Sequence, residues 1–335
     1  MFFFGMRADR INLYNELEDK RHSKLLVYAT SHRQGMETSI APDVLPWFTE
    51  HLDIIEESEK ISLYLITNGG DTLTAWSLVN LIRSFCDKFE VIIPFNCFSS
   101  GTLISLGADN LLMTKQATLG PIDPSTNGPF NPVVNGTNQR IPVSVEFVKA
   151  YIEMAKNEFG IHKQENMTEI LLKLSDKIHP LALGQVYRSR QQIQMLARKL
   201  MSWQKLSSKK EEKIINFLCS ESGSHDYAIR RKEARDSLGL NIEKPDQDTY
   251  KIIKAIYDNI SSELEFSSPY NPEIILGGNP TANYCCRRCI IESVNGGTDV
   301  LVSEGVLTKQ IVPTPAGNKL MIQDGRAFEG WRHEA

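Results

Sequence analysis

Between residues 61 and 114 the chain alternates short apolar runs with helical patterns, and this alternation restricts its fold more than any other feature. The run ISLYLIT at 61–67 and the run EVIIPF at 90–95 are short and rich in β-branched and aromatic residues, so both predict strands. Within 72–85, Leu73, Trp76, Val79 and Ile82 recur every three residues, the spacing of one helix face. A short apolar helix at 102–108 and a strand at 110–114 follow, and KLLVYAT at 24–30 predicts one more strand. Strands that alternate with helices in this way build βαβ units, hence an α/β fold with a mostly parallel sheet.

From residue 121 to 140 the text turns to Pro, Gly and Asn and predicts a long surface loop, a frequent seat of function in compact domains. Helical patterns follow at 144–158, 167–174, 180–201 and 209–218. Another spans 230–238 and stops at Gly239, placed as a left-handed C-cap. The charge run Lys209, Lys210, Glu211, Glu212, Lys213 reads as a solvated helix face. Pro245 marks a boundary. Beyond it come a helix at 248–264 and a strand-like tail with turns at Gly277-Gly278, Gly296-Gly297 and Gly317-Asn318. The organisation expected is an N-terminal helical arm over 1–19, a main domain over 20–242, and a smaller C-terminal α+β appendage over 243–335.

A net charge of −4 over 335 residues supplies no basic field for nucleic acid, so none is expected as a partner. The apolar start MFFFGM is interrupted at Arg7, too early for a signal peptide core or a membrane span, and no later run reaches spanning length. A cytoplasmic chain is expected, and six cysteines without a scaffold spacing suit a reducing compartment. Cys285, Cys286 and Cys289 in YCCRRC include one Cys-x-x-Cys unit, but the second half of a zinc site is missing nearby. Neither metal nor cofactor is expected. The sequence also has no GxxxxGK[ST] loop, so any ATP dependence would come from a partner.

In a parallel sheet, chemistry collects where strands end and turn into helices. Two such turns have unusual residues. Asn68-Gly69-Gly70 follows the strand at 61–67, and glycines there can aim backbone N–H groups at an oxyanion or simply make a turn. Phe98-Ser99-Ser100-Gly101-Thr102 precedes the short helix. A serine in that place is a helix cap, or a hydroxyl exposed beside free N–H groups and ready to attack a carbonyl. The residues alone leave both turns open between these roles.

Several ordered motifs narrow the choice. Ser99-Ser100-Gly101-Thr102 is followed by Ala108-Asp109 and then by Leu119-Gly120-Pro121-Ile122-Asp123-Pro124. Thr67-Asn68-Gly69-Gly70 precedes them, and Ile178 to Gly184, His225 to Ile229, Glu233-Ala234 and Leu238-Gly239-Leu240 come after. Over about residues 20 to 242 this resembles the serine dehydrogenase proteinase family, relatives of signal peptide peptidase A and the Clp proteolytic subunit. The resemblance implies a Clp/crotonase-type fold of repeated ββα units and a serine peptidase that acts on peptide or protein substrates and self-associates into a homo-oligomer. It places the nucleophile on Ser99, two residues before the glycine, with the N–H of Gly69 or Gly70 and that of Ser100 as the oxyanion hole.

The general base does not follow from the resemblance. Relatives use a Ser-His-Asp triad or a Ser-Lys dyad, but the histidine position falls near 121–123, where no His stands, and the lysine position near Val143. Three candidates remain: His225 with its neighbour Asp226, His179 and Lys149. Asp226 lies seven residues before Glu233, as the triad aspartate does in the Clp subunit. His179 stands before Pro180 at a helix start, where a cap would also be expected, and Lys149 could be solvated. The missing base also allows a catalytically silent crotonase-like scaffold that binds peptides or partners, and the wider crotonase group allows an acyl-CoA-handling enzyme.

Overall fold

The computed structural model describes residues 4–122, 125–126, 128–134, 136–204, 206–221, 224, 227–314 and 317–334. The chain divides into two units, Met1–Leu119 with Arg230–Ala335, and Gly120–Ile229.

The first unit is built on an eight-stranded sheet. Strands β1 (Lys24–Thr30), β2 (Ser58–Ile66), β3 (Cys86–Ile93), β4 (Asn110–Met113) and β5 (Ile242–Glu243) run parallel in the order β5-β4-β3-β2-β1. Registers such as Leu26 beside Leu63 and Leu63 beside Val91 align their apolar stretches. The apolar stretches of β1 to β4 are buried on both faces, which is why they read as continuous apolar runs.

One face is covered by α1 (Phe4–Arg21) and α10 (Gln247–Glu263). Ile252, Ile253, Ile256 and Ile260 of α10 join Tyr14 and Leu17 of α1 over Val27, Ala29, Ile66 and Ile92. Burial of such a side chain contributes about 1.5–3 kcal/mol, so this layer is integral to the fold. The opposite face of β1 meets α2 (Leu45–Ile55), where the Tyr28 and Phe48 rings pack edge to face at 5.1 Å. Helix α3 (Thr72–Arg83) is capped by Asp71, whose carboxylate accepts from the Thr74 N–H at 2.7 Å. Two short helices, α4 (Ser100–Leu106) and α9 (Arg231–Asp236), complete the parallel half. Gly239 has φ 75°, as its expected place past a helix end requires.

The expected C-terminal appendage is not separate from this sheet. Beyond α10 and α11 (Pro272–Leu276), strand β6 (Thr281–Ser293) pairs antiparallel with β1, Tyr28 opposite Ile291. Strands β7 (Gly297–Thr314) and β8 (Gly317–Glu334) extend it by antiparallel pairing. The physical reason is that α10 and β6 supply cover and edge pairing that β1 and β2 lack without them. The expected boundaries at 19 and 242 therefore differ from the division found, in which the interruption is 120–229.

A buried ionic network ties these distant segments together. Arg10 of α1 donates to Glu292 of β6 at 2.6 and 3.1 Å, to Glu263 and to Asn259 of α10. Tyr14 and Thr298 also donate to the Glu292 carboxylate.

The second unit is mainly helical, with α5 (Val145–Asn157), α6 (Gln164–Ser175), α7 (Pro180–Met201) and α8 (Ser208–Asn216) close to the periodic segments of the sequence. Val143, Val145 and Val186 form a small apolar cluster with Val148 and Ile178 against it. The described residues of the expected loop at 121–140 are largely irregular, but Ser125–Thr126 pairs with Val143–Ser144, and Val133 bridges Arg140.

Candidate active site

The two unusual turns meet because the chain keeps pairing beyond the regular strands. Thr67, just past β2, donates its N–H to Asn96 at 3.0 Å, and its carbonyl accepts from the Phe98 N–H at 3.0 Å. This parallel bridge sets Asn68-Gly69-Gly70 beside Phe98-Ser99-Ser100.

A second bridge, from Ile40 to Gly70, fixes the direction of the glycine backbone. The Ile40 N–H donates to the Gly69 carbonyl and the Asp71 N–H donates to the Ile40 carbonyl, both at 2.8 Å. In such pairing the residue between the two bonds turns its own N–H and C=O to the other side. On that side the Gly70 carbonyl accepts from the Ser100 hydroxyl at 2.5 Å, while the Gly70 N–H has no acceptor among the described residues. Gly69 is different: its N–H donates to Thr67 Oγ1 at 3.0 Å, and Thr67 Oγ1 also accepts from Thr30 Oγ1 at 2.9 Å.

Only glycine fits this contact. At Gly69, with φ 104°, a Cβ would stand 2.7 Å from the Ser99 Cβ and 2.9 Å from the Phe98 carbonyl oxygen. At Gly70 it would stand 2.3 Å from the Ile40 carbonyl oxygen.

Ser99 itself has φ 51° and ψ −115°, a backbone state that costs a non-glycine residue of order 1–3 kcal/mol. It stands in the N-cap place of α4, yet its side chain makes no capping bond and no other hydrogen bond among the described residues, and it is partly exposed. The Ser100 N–H, in the first turn of the same helix, likewise has no acceptor among them. A partly exposed hydroxyl and two unpaired N–H groups thus gather at one corner of the sheet. The neighbouring Cys97 thiol is a weak nucleophile, because burial pushes its pKa up to about 12.

The base candidates belong to the second unit or lie outside the described residues. Lys149 is half-buried on α5, with Nζ 3.5 Å from Glu153 and 4.0 Å from Glu146. His179 caps α7, its Nδ1 accepting from the Leu181 N–H at 3.2 Å while its ring stacks on Phe130 at 4.8 Å. Both belong to the second unit. His225 and Asp226 lie outside the described residues, as do Asp123 and Pro124 of the Leu-Gly-Pro motif.

Of the residues singled out in the sequence, the structure gathers Gly69, Gly70, Ser99 and Ser100. Sequence reasoning missed Thr30, Thr67 and Ile40. Thr67 stood within the motif as a mere strand end, and nothing in the sequence signals that Ile40 pairs with a glycine thirty positions on. Cys285 and Cys286 lie on successive positions of β6, one exposed and one buried beside Arg33. Among the described residues no group of three His, Cys, Asp or Glu side chains is arranged to hold a metal ion.

Residues 5–265 match the family model of the ClpP-like SDH-type serine proteinases. The chain belongs to this family. Two relatives from Methanocaldococcus jannaschii are similar in sequence. Uncharacterized protein MJ0137 is 26% identical over 251 residues, 71% of this chain and 74% of that protein. Uncharacterized protein MJ1495 is 30% identical over 128 residues, 34% of this chain and 41% of that protein. Two solved structures of variants of the 1510-N membrane-bound stomatin-specific protease are also similar, one of them in complex with a substrate peptide. The first is 20% identical, covering 44% of this chain and 70% of the other at a TM-score of 0.27. The second is 16% identical, covering 65% and 94% at a TM-score of 0.26. With overlaps this low, membership of the serine proteinase family rests on the sequence match. Among the described residues no helix is long and apolar enough to cross a membrane.

Proposed function

We propose that the chain is an ATP-independent serine peptidase that cleaves peptide bonds through a Ser99 acyl-enzyme. The observation that carries this reading is the state of Ser99: a strained, partly exposed residue whose hydroxyl does no capping work. A structural cap would accept from an N–H of the first helical turn, and this one does not. Other hydrolases also present their nucleophile on a strained strand-to-helix turn.

In the proposed reaction Ser99 Oγ attacks the scissile carbonyl carbon. A C–O bond forms, the carbonyl electron pair moves onto oxygen, and the hydroxyl proton passes to the base. The N–H groups of Gly70 and Ser100 receive the oxyanion. Gly70 is preferred to Gly69 because the Gly69 N–H already serves Thr67. Collapse breaks the C–N bond, the base returns its proton to the departing amine, and water then hydrolyses the acyl-serine by the same steps. Each oxyanion donor contributes roughly 10²–10³ in rate.

The base in this reading is His225 supported by Asp226, from their place in the family motif. Lys149 and His179 rank behind it because one is held between carboxylates and the other is engaged as a cap. Family likeness also supports a Clp/crotonase-type arrangement of ββα units, self-association and a cytoplasmic setting with peptide or protein substrates. Light scattering at micromolar concentration tests the self-association, and a monomer would count against it.

The decisive experiment is labelling with a fluorophosphonate. The native chain should form an adduct at Ser99, and Ser99→Ala should abolish it while staying folded. Absence of labelling in the native chain would favour a silent peptide-binding scaffold with the same corner.

A further inference from the structure

We infer that the Ser100 hydroxyl is a positioning residue for catalysis: it locks the turn that carries one oxyanion donor to the helix that carries the other. The inference rests on the serine peptidase reading and adds to it a role for a side chain, beyond the backbone N–H of the same residue.

The argument begins with what an oxyanion hole requires. Two N–H groups must converge on one oxygen from about 3 Å each, and they must do so before the charge develops, because reorganisation during reaction forfeits most of the benefit. Here the two N–H groups belong to separate segments, Gly70 after β2 and Ser100 after β3. The Thr67–Cys97 bridge brings the two segments side by side, but beyond it no backbone hydrogen bond among the described residues joins Gly70 to Ser100.

Three hydrogen bonds set the turn. From one side Ile40 holds the Gly69 carbonyl and the Asp71 N–H, which decides the plane of the peptide whose N–H is Gly70. From below, the buried pair Thr30 and Thr67 takes the Gly69 N–H. Neither contact reaches α4. The bond from Ser100 Oγ to the Gly70 carbonyl does, at 2.5 Å, from a side chain that is 1% exposed. It spans the gap between the two donors with one residue. A buried hydroxyl with a single carbonyl partner is well shielded from competing water, so the bond is persistent.

The Ser100 hydroxyl, unlike the N–H of the same residue, touches no reacting atom in this arrangement, because it donates to the Gly70 carbonyl. Removing it leaves both N–H groups present and lets the gap between them vary. A misplacement of the order of 1 Å is enough to cost about a hundredfold in rate, so a loss of roughly ten- to a hundredfold is expected. Because the effect falls on the tetrahedral state, ground-state binding should be spared.

The test compares the native chain with Ser100→Ala on p-nitrophenyl butyrate and on phenylboronic acid, which forms a tetrahedral adduct with a reactive serine. The variant should show kcat for ester cleavage lowered by roughly ten- to a hundredfold, an unchanged KM, and boronate affinity weakened by a similar factor. Its pH–rate profile should keep the native midpoints, since the base is untouched. Native kcat and native boronate affinity in the variant would overturn the inference. Should Ser100→Ala fail to fold, Ser100→Thr decides: it retains the donor and should keep near-native kcat, and a folded Thr variant with the full loss would overturn it. A native chain that reacts with neither ester nor fluorophosphonate removes the peptidase reading itself, which is distinguishable from a reactive native chain whose Ser100 variants react equally well.

Discussion

Gly69 approaches Ser99 so closely that a Cβ built on it would stand 2.7 Å from the Ser99 Cβ and 3.1 Å from the Ser100 amide nitrogen. The contact is between a strand end and a helix start, each held by backbone pairing, so neither can step aside freely. Gly69→Ala should therefore push the two turns apart and lower fluorophosphonate labelling of Ser99 by about a hundredfold or more, the effect of a lost oxyanion donor. Circular dichroism should still report a folded chain. Native labelling rates in a folded Ala variant would show that the turns need not touch for reaction.

Stability measurements separate a cap from a nucleophile at Ser99. A capping serine loses about 1 kcal/mol on change to alanine, but this side chain makes no capping bond. Ser99→Ala should therefore unfold in urea within about 0.5 kcal/mol of the native chain, as for a substitution that removes no bond. Ser99→Gly should be more stable than Ser99→Ala by about 1 kcal/mol, because glycine accepts φ 51° without strain. A clear loss in the Ala variant would restore the cap.

The C-terminal third should prove inseparable from the rest. A chain ending at residue 242 lacks α10 and β6, and so exposes Val27, Ala29, Ile66 and Ile92 on one face and leaves β1 as a bare edge. Expressed alone, that fragment should aggregate or bind the dye ANS strongly. A soluble fragment with native-like cooperative unfolding would re-establish the C-terminal segment as an appendage.

Much of this was legible in the sequence, and the failures have a common cause. The parallel strands read cleanly because apolar runs buried on both faces have no polar interruptions. The helices of 144–201 read cleanly because their apolar faces are periodic. Local chemistry also marked the corner: two glycines after one strand, and Ser-x-Gly after the next, where Gly101 leaves room for the Thr67 methyl. What the sequence could not convey was pairing between distant segments. Ile40 meeting Gly70, β6 meeting β1 and Arg10 meeting Glu292 depend on sheet order, which no local pattern encodes. The segment after residue 242 read as an appendage for that reason: its own pattern is self-consistent, and its partner strand lies some 260 residues earlier. The same limit hid Thr30 and Thr67 behind the glycines they hold.

The Arg10 network yields a stability prediction with a definite dependence on pH. Burial pushes the Glu292 carboxyl up, but the Arg10 guanidinium and the hydroxyls of Thr298 and Tyr14 outweigh it, so its pKa is held below the ordinary carboxylate value. A depressed folded-state pKa means the stabilisation is present above the unfolded value, about 4.3 for Glu, and is lost as pH falls through the folded value. The native chain should therefore weaken in acid below about pH 4. Arg10→Met leaves the buried Glu292 carboxylate without the Arg10 cation, while Glu263 keeps its ion pair with Arg287 at 2.8 Å. Breaking one side of such a pair costs about 3–5 kcal/mol at neutral pH. In the variant the desolvation of Glu292 is no longer opposed by Arg10, so protonation relieves it, and the stability gap to the native chain should narrow as pH is lowered from 7 to 4. Urea unfolding at several pH values measures this directly. A gap that stays constant over that range would mean that the Glu292 carboxylate finds another partner or water when Arg10 is gone, and that the network is not what binds α1 to α10 and β6.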